Sequence, residues 1–416
     1  MKRRVVVVSA GVVSPLGGTW PEFRKNVFLE RDWFSTLPES LPYPSAALVD
    51  SSNIDRFYRC GGRSFKYRRY YNRATDMAVM AVFECLDRAG PTQIDLEKLS
   101  ILWGAGPNFD MGSVPEGVLA PADPERGEEA GTTAWRRKAS AAWMLLYLPN
   151  MTASAISCAL GTHGGALTYV TACAAASHAI GEAYTRIRDG HADAVLCGGA
   201  DSRISREGLM AYRMIGALST SPEPRVLPMC AERDGFVPGE GAAAFLLIDL
   251  PGAVTLGLPI LAEVLGHGSS SDGFRLTDPD PEGLGMERSM RQALERAGTS
   301  PASIDLINAH GTGTQMNDSA EASAIRRLFK TSPPVTSNKS QFGHLSAAAG
   351  AVEFAACLAM LDRQCVTPTV NTQGREIEAG IDLVRECRPQ KIDTILSNSF
   401  GFGGQNSTLI IRRWAP

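Results

Sequence analysis

The sequence predicts an α/β fold of five layers, α/β/α/β/α, made of two duplicated halves, and three observations predict it. First, Glu84-Cys85-Leu86-Asp87-Arg88-Ala89-Gly90 closes one amphipathic helix, and Gln292-Ala293-Leu294-Glu295-Arg296-Ala297-Gly298 closes another in nearly the same letters. Second, each helix end is followed by a short turn, an Ile-Asp-Leu step (Ile94 to Leu96; Ile304 to Leu306) and an apolar strand ending in glycines, Ile101 to Gly106 and Ile307 to Gly313. These features recur collinearly at an offset of about 210 residues, the mark of a duplicated fold. Third, strands alternate with Ala-rich helices carrying few large apolar side chains, as helices packed closely between two sheets require. The expected division is an N-terminal half over residues 1–256 and a C-terminal half over 257–416.

The elements follow in order. Met1-Lys2-Arg3-Arg4 before Val5 to Val8 imitates a secretory signal. The apolar stretch is short, β-branched and interrupted by Ser9, and Ser14-Pro15-Leu16-Gly17-Gly18 reads as a turn, so a first buried strand is expected instead. Trp33 to Asn53 and Pro107 to Thr133 read as long loops over an entrance or at a subunit contact. A helix is expected from Ala74 to Ala89. Val170-Thr171 reads as the end of a buried strand and Ala174 to Ile187 as a helix, which places Cys173 in a tight strand-to-helix turn. A late strand, Ala194 to Gly199, closes the first half. In the second half a helix is expected over Leu345 to Met360, and a late strand from Thr394 runs into Gly401-Phe402-Gly403-Gly404.

Composition narrows the class. The 416 residues, 44% hydrophobic and 20% charged, describe a soluble globular chain, and no apolar run is long enough to span a bilayer. A net charge of −3 gives no global bias towards nucleic acid. Nine cysteines, without a C-x-x-C pair or a zinc-like Cys/His spacing, indicate neither a disulfide framework nor a structural metal. A reducing cytoplasm fits this usage.

Cys173 is the candidate nucleophile, because a thiolate gains from a helix N-terminus and the small residues 174–177 leave the backbone approachable. A buried structural cysteine is the alternative for that residue taken alone. Asn308-Ala309-His310-Gly311-Thr312-Gly313-Thr314 sets one histidine at a strand end, and Ser337-Asn338-Lys339-Ser340-Gln341-Phe342-Gly343-His344 sets a second ahead of a helix, where the positive helix end favours a neutral imidazole. Ser397 to Asn406 supplies a glycine-lined strand end whose N–H groups can hold an oxyanion. All four features fall at equivalent strand ends of a duplicated fold and can converge.

These motifs resemble those of the elongating β-ketoacyl-acyl carrier protein synthases of the thiolase-like superfamily: Thr171-Ala172-Cys173, His310 to Thr314 followed by Asn317-Asp318, Lys339-Ser340-x-x-Gly343-His344, and Phe400 to Gly404. The resemblance covers essentially the whole chain. It implies that Cys173 takes an acyl group with the N–H groups of Cys173 and Phe402 as oxyanion hole, and that His310 and His344 donate from Nε2 to the enolate left by malonyl decarboxylation. It further implies that Lys339 organises the histidine pair and that Glu353 is the family's buried carboxylate, with a structural Lys339–Glu353 ion pair as the alternative. Thr312 and Thr314 match the hydroxyls that bind the carrier's phosphopantetheine arm. Phe402, between Gly401 and Gly403, matches a gating phenylalanine. No bound cofactor or metal is implied; substrates arrive on acyl carrier protein, and the family works as a dimer, with itself or with a paralogue.

A basic run between Asp55 and Asp76, including Arg63, Lys66, Arg68, Arg69 and Arg73, resembles the surface that docks the acidic carrier. Departures from the family also stand in the sequence: Leu227-Pro228-Met229-Cys230 replaces Arg-Pro-aromatic-Asp, Ser221 stands where a docking arginine is common, and Gln405 replaces a common Thr. Two rivals remain at this point, a non-catalytic chain-length-factor-like subunit, which would lack the cysteine, and a thiolase or chain-initiating synthase.

Overall fold

The computed structural model describes residues 2–60, 65–90, 94–110 and 143–415. Its strands are β1 (Val5–Val13), β2 (Ser35–Thr36), β3 (Ser45–Ala46), β4 (Ser100–Ala105), β5 (Ala166–Tyr169), β6 (Ala194–Asp201), β7 (Gly241–Asp249), β8 (Ala262–Ser271), β9 (Leu306–Asn308), β10 (Pro334–Thr336), β11 (Cys365–Val366), β12 (Asp382–Leu383), β13 (Arg388–Pro389), β14 (Thr394–Gly401) and β15 (Gln405–Arg413). Eleven of them form one continuous ladder, β12-β10-β9-β14-β15-β8-β1-β7-β6-β4-β5.

The duplication is visible in the strand order. β5-β4-β6-β7-β1 repeats as β10-β9-β14-β15-β8, with antiparallel pairs at β7/β1, β6/β7, β15/β8 and β14/β15 and parallel pairs among the rest. The two repeats join where Val5, Val6 and Val7 of β1 pair with Val264, Glu263 and Ala262 of β8. Every residue of β1 is buried, so the valine-rich start is a central strand covered on both faces.

Helices fill the layers. Ala175–Arg188 and Ala349–Arg363 pack between the two halves of the ladder, and their inward positions are mostly alanine, including Ala176, Ala179, Ala183, Ala351 and Ala355. Small side chains let these backbones approach; a Cβ on Gly350 would stand 2.2 Å from Ser177 Oγ. The outer faces carry bulkier cores: Met77, Val79 and Phe83 of helix Arg73–Ala89 beside Trp103 and Leu246 on one side, and Met286, Met290 and Ile325 beside Leu396 and Ile410 on the other.

Three expectations need correction. The strand before Cys173 is not buried: β5 is the sheet edge, with Leu167 and Val170 exposed, because a β-branched run has the same letters on an edge as in a core. Trp33 to Asn53 is not a bare loop; it holds the β2–β3 pair and the start of helix Ser51–Cys60, and it packs through Leu37, Tyr43 and Ala46 against Leu209, Tyr212 and Phe236. The expected helix Leu345 to Met360 begins as a 3-10 turn, Ser346–Ala348, before helix Ala349–Arg363. From residue 111 onward the expected loop to Thr133 lies outside the described residues, as does Arg63. Among the described residues no helix is long and apolar enough to cross a membrane.

Candidate active site

Cys173 sits at the start of the inner helix of the first repeat. The chain leaves β5, passes Thr171 and makes a 3-10 turn, Ala172–Ala174, before helix Ala175–Arg188. Ala172 has φ 47°, a left-handed conformation that costs a residue with a Cβ of order 1 kcal/mol or more. The side chain is buried, and that burial pushes the thiol up to about 11; the positive charges of Arg203 and Lys339 and the N–H of Phe402 pull the other way. Burial and the neighbouring positive charges thus act on this thiol in opposite directions.

His344 Nε2 lies 3.0 Å from Cys173 Sγ. Its Nδ1 accepts the backbone N–H of Ser346 at 3.3 Å, which leaves Nε2 as the hydrogen-bearing nitrogen facing sulfur. His310 is buried beside it, the two rings 5.4 Å apart and nearly perpendicular. Lys339 Nζ lies 3.2 Å from His310 Nδ1 and donates to the His310 carbonyl at 2.5 Å, so His310 likewise presents Nε2–H. Burial, reinforced by the Lys339 charge, holds both imidazoles well below the ordinary histidine range, so both are neutral donors at pH 7.

Lys339 also donates to Glu353 Oε1 at 2.5 Å, both side chains wholly buried. Burial pushes the Glu353 carboxyl up to about 7 against the pull of the ammonium. A second buried carboxylate, Glu321, accepts the N–H groups of His310 and Gly311 at 2.9 Å each and the Asn398 amide at 3.0 Å. It holds the histidine loop by its backbone. Sequence reading passed over Glu321; its one signal is its place on the helix that follows the His310 loop, Gln315–Leu328.

The glycine loop of the second repeat meets Cys173. A Cβ on Gly401 would lie 2.8 Å from Thr171 O and 3.3 Å from Cys173 N, so only glycine lets β14 come this close. Phe402 is 41% exposed, its N–H directed at Cys173, and Gly403 has φ 84°. Thr312 Oγ1 and Thr314 Oγ1 are 2.8 Å apart, and Asp318 fixes their loop by accepting the Gly313 N–H. Groups from both repeats thus meet at Cys173: a buried thiol, two neutral imidazoles and the backbone N–H of Phe402.

The sequence pattern of the beta-ketoacyl synthase N-terminal domain matches residues 2–253, and that of the C-terminal domain matches 261–373. The chain belongs to the beta-ketoacyl synthase family. It is 37% identical to a 3-oxoacyl-[acyl-carrier-protein] synthase 2 of Rhizobium meliloti, over 99% of both chains. Among solved structures it is similar to a beta-ketoacyl synthase of Burkholderia phymatum (TM-score 0.86, 31% identity) and to the ishigamide ketosynthase/chain length factor (TM-score 0.86, 30% identity), each covering 100% of both chains. The fold is that of the thiolase-like ketosynthases, and the family is that of the condensing enzymes of fatty-acid and polyketide synthesis.

The basic run of this ketosynthase is less uniform than its letters. Lys66, Arg68 and Arg69 are exposed, but Arg68 lies 3.7 Å from the Tyr58 ring and 3.8 Å from Asp76. Arg73 is not a free docking cation: it forms a two-point pair with the buried carboxylate of Glu240, at 2.6 Å for each contact, and donates to Val49 O and Ser51 Oγ. Glu240 is 167 residues away, out of reach of any local reading. Two further residues near the thiol were missed: Tyr212, whose hydroxyl bonds Ser346 Oγ, and Arg203.

Proposed function

We propose that this ketosynthase carries an acyl chain on Cys173 and condenses it with malonyl-acyl carrier protein. In the first half the sulfur attacks the acyl thioester, the N–H groups of Cys173 and Phe402 take the charge on oxygen, and the Cys173 proton leaves with the departing pantetheine thiol. In the second, the bond from malonyl carbon to carboxylate breaks, CO₂ leaves, and the electron pair forms an enolate whose oxygen accepts from His310 and His344. That carbon attacks the Cys173 thioester and expels sulfur, which takes up one proton from solvent. The product is a β-ketoacyl-carrier protein.

The observation that carries this reading is the pairing of two neutral imidazoles beside Cys173, each with Nδ1 occupied and Nε2 bearing the hydrogen, that of His344 lying 3.0 Å from the sulfur. Neutral donors stabilise an enolate without protonating it. A chain-length-factor role is disfavoured by Cys173 itself. Lys339 and Glu353 position His310; Thr312 and Thr314 hold the pantetheine amides; Gly401, Phe402 and Gly403 gate the site.

The N-terminal half, 1–256, supplies the nucleophile and the C-terminal half, 257–416, the histidines. Lys66, Arg68 and Arg69 steer the acidic carrier, and the exposed β5 edge seats a second ketosynthase subunit, a copy or a paralogue. The cysteines suit the cytoplasm. Mixing the protein with acyl- and malonyl-carrier protein tests the reading: an acyl adduct on Cys173 and CO₂ release are expected, and the absence of both would overturn it.

A further inference from the structure

Behind the thiol lies a cationic group that the condensation does not use. Arg203 follows β6, its side chain 14% exposed. Nε donates to Asp201 Oδ2 at 3.0 Å, and the same oxygen accepts the N–H of Ala347 at 3.0 Å. The guanidinium carbon stands 5.2 Å from the Phe109 ring centre and 5.8 Å from that of Tyr212. Space is made for it: a Cβ on Gly106 would lie 2.2 Å from Nη2. Neither Nη group has a hydrogen-bonding partner among the described residues.

This group is close to the chemistry. Ala347 follows Ser346, whose N–H holds His344 and whose hydroxyl holds Tyr212. The Tyr212 ring packs edge-on against Phe236, and Phe236 against His344. Arg203 is also the largest charge opposing the rise of the Cys173 thiol.

Resting on the condensing reading above, we infer that Arg203 selects the acyl chain, favouring one that carries a neutral acceptor oxygen, a hydroxyl or ketone, near the thioester. A saturated chain gains by burial among the aromatic rings, but it desolvates the two Nη groups without replacing their hydrogen bonds to water. An acyl oxygen replaces them. A carboxylate is the poorer fit, because Asp201 already balances the guanidinium and would repel it.

The test uses N-acetylcysteamine thioesters of equal length, 3-hydroxybutyryl and butyryl, with octanoyl and succinyl as further arms. Acylation of Cys173 is followed by mass spectrometry in the wild type and in Arg203→Gln and Arg203→Lys. A hydrogen bond to a charged donor predicts a preference of about tenfold for 3-hydroxybutyryl over butyryl in the wild type, abolished in Arg203→Gln. If Arg203 serves only the ion pair or the thiol, both variants slow the two donors equally and the inference is overturned. A wild-type preference for butyryl, octanoyl or succinyl overturns it too, while leaving the condensing reading intact. If no thioester acylates Cys173 and no CO₂ forms from malonyl-carrier protein, the condensing reading fails and this inference with it.

Discussion

Lys339 shows how much rests on single side chains in this site. Its ammonium meets a carboxylate, a carbonyl and an imidazole nitrogen in a wholly buried place, so each partner compensates part of its lost hydration. Replacing Glu353 by Gln removes the carboxylate that pairs with Lys339 among the described residues. We expect Glu353→Gln to cost about 3–5 kcal/mol of stability, read as a shift of the denaturant midpoint, and the double variant Lys339→Met/Glu353→Gln to recover part of it. His267 offers a test away from the chemistry. It is buried with Nε2 3.1 Å from Ser407 Oγ, and burial depresses it from its ordinary value to about 3. Neutral in both states above pH 6.5, it takes a proton first in the unfolded chain as pH falls, so its contribution to stability declines below that pH. The difference in stability between wild type and His267→Gln should therefore change by about 2 kcal/mol between pH 7.5 and pH 5, wild type losing more, as paired urea melts would show.

At the scale of elements, the inner helices and the end of β14 are fixed by small residues. Ala355 lies wholly buried in the central core on helix Ala349–Arg363. Ala355→Leu should destabilise by about 1–3 kcal/mol through overpacking, visible in thermal melts. Gly401 has a different role, because its hydrogen faces Thr171 O and the Cys173 backbone. Gly401→Ala forces the Phe402 N–H away from Cys173. Acylation of Cys173 should slow by about 10- to 100-fold in stopped-time mass spectrometry.

The whole molecule brings together what two repeats hold apart. One half of the ladder carries Cys173, the other His310, His344 and Phe402, and the inner helices bring these strand ends to one place. Its long-range field is modest, with a net charge of −3, so carrier recognition must be local. Lys66→Glu/Arg69→Glu should slow acylation from a carrier protein by about tenfold at low salt, with the effect fading as salt rises, and leave acylation by a small thioester unchanged. Arg73→Ala should instead lower stability, since it strips Glu240 of its ion pair.

The sequence by itself determined the duplication, the layered α/β class and the motifs that meet in the fold: Cys173, His310, Lys339, His344 and the Phe400 to Gly404 loop. Each is written in a short stretch where local periodicity and glycine placement decide the backbone. Edge or centre was not legible at β5, because alternation and branching describe a strand and not its neighbours. Only the tertiary structure decided that Arg73 is bound by Glu240, that Glu321 anchors the His310 loop, and that Arg203 and Tyr212 stand behind the thiol. A helix terminus can be read from letters, but the burial that pushes the Cys173 thiol up exists only once both repeats have closed around it.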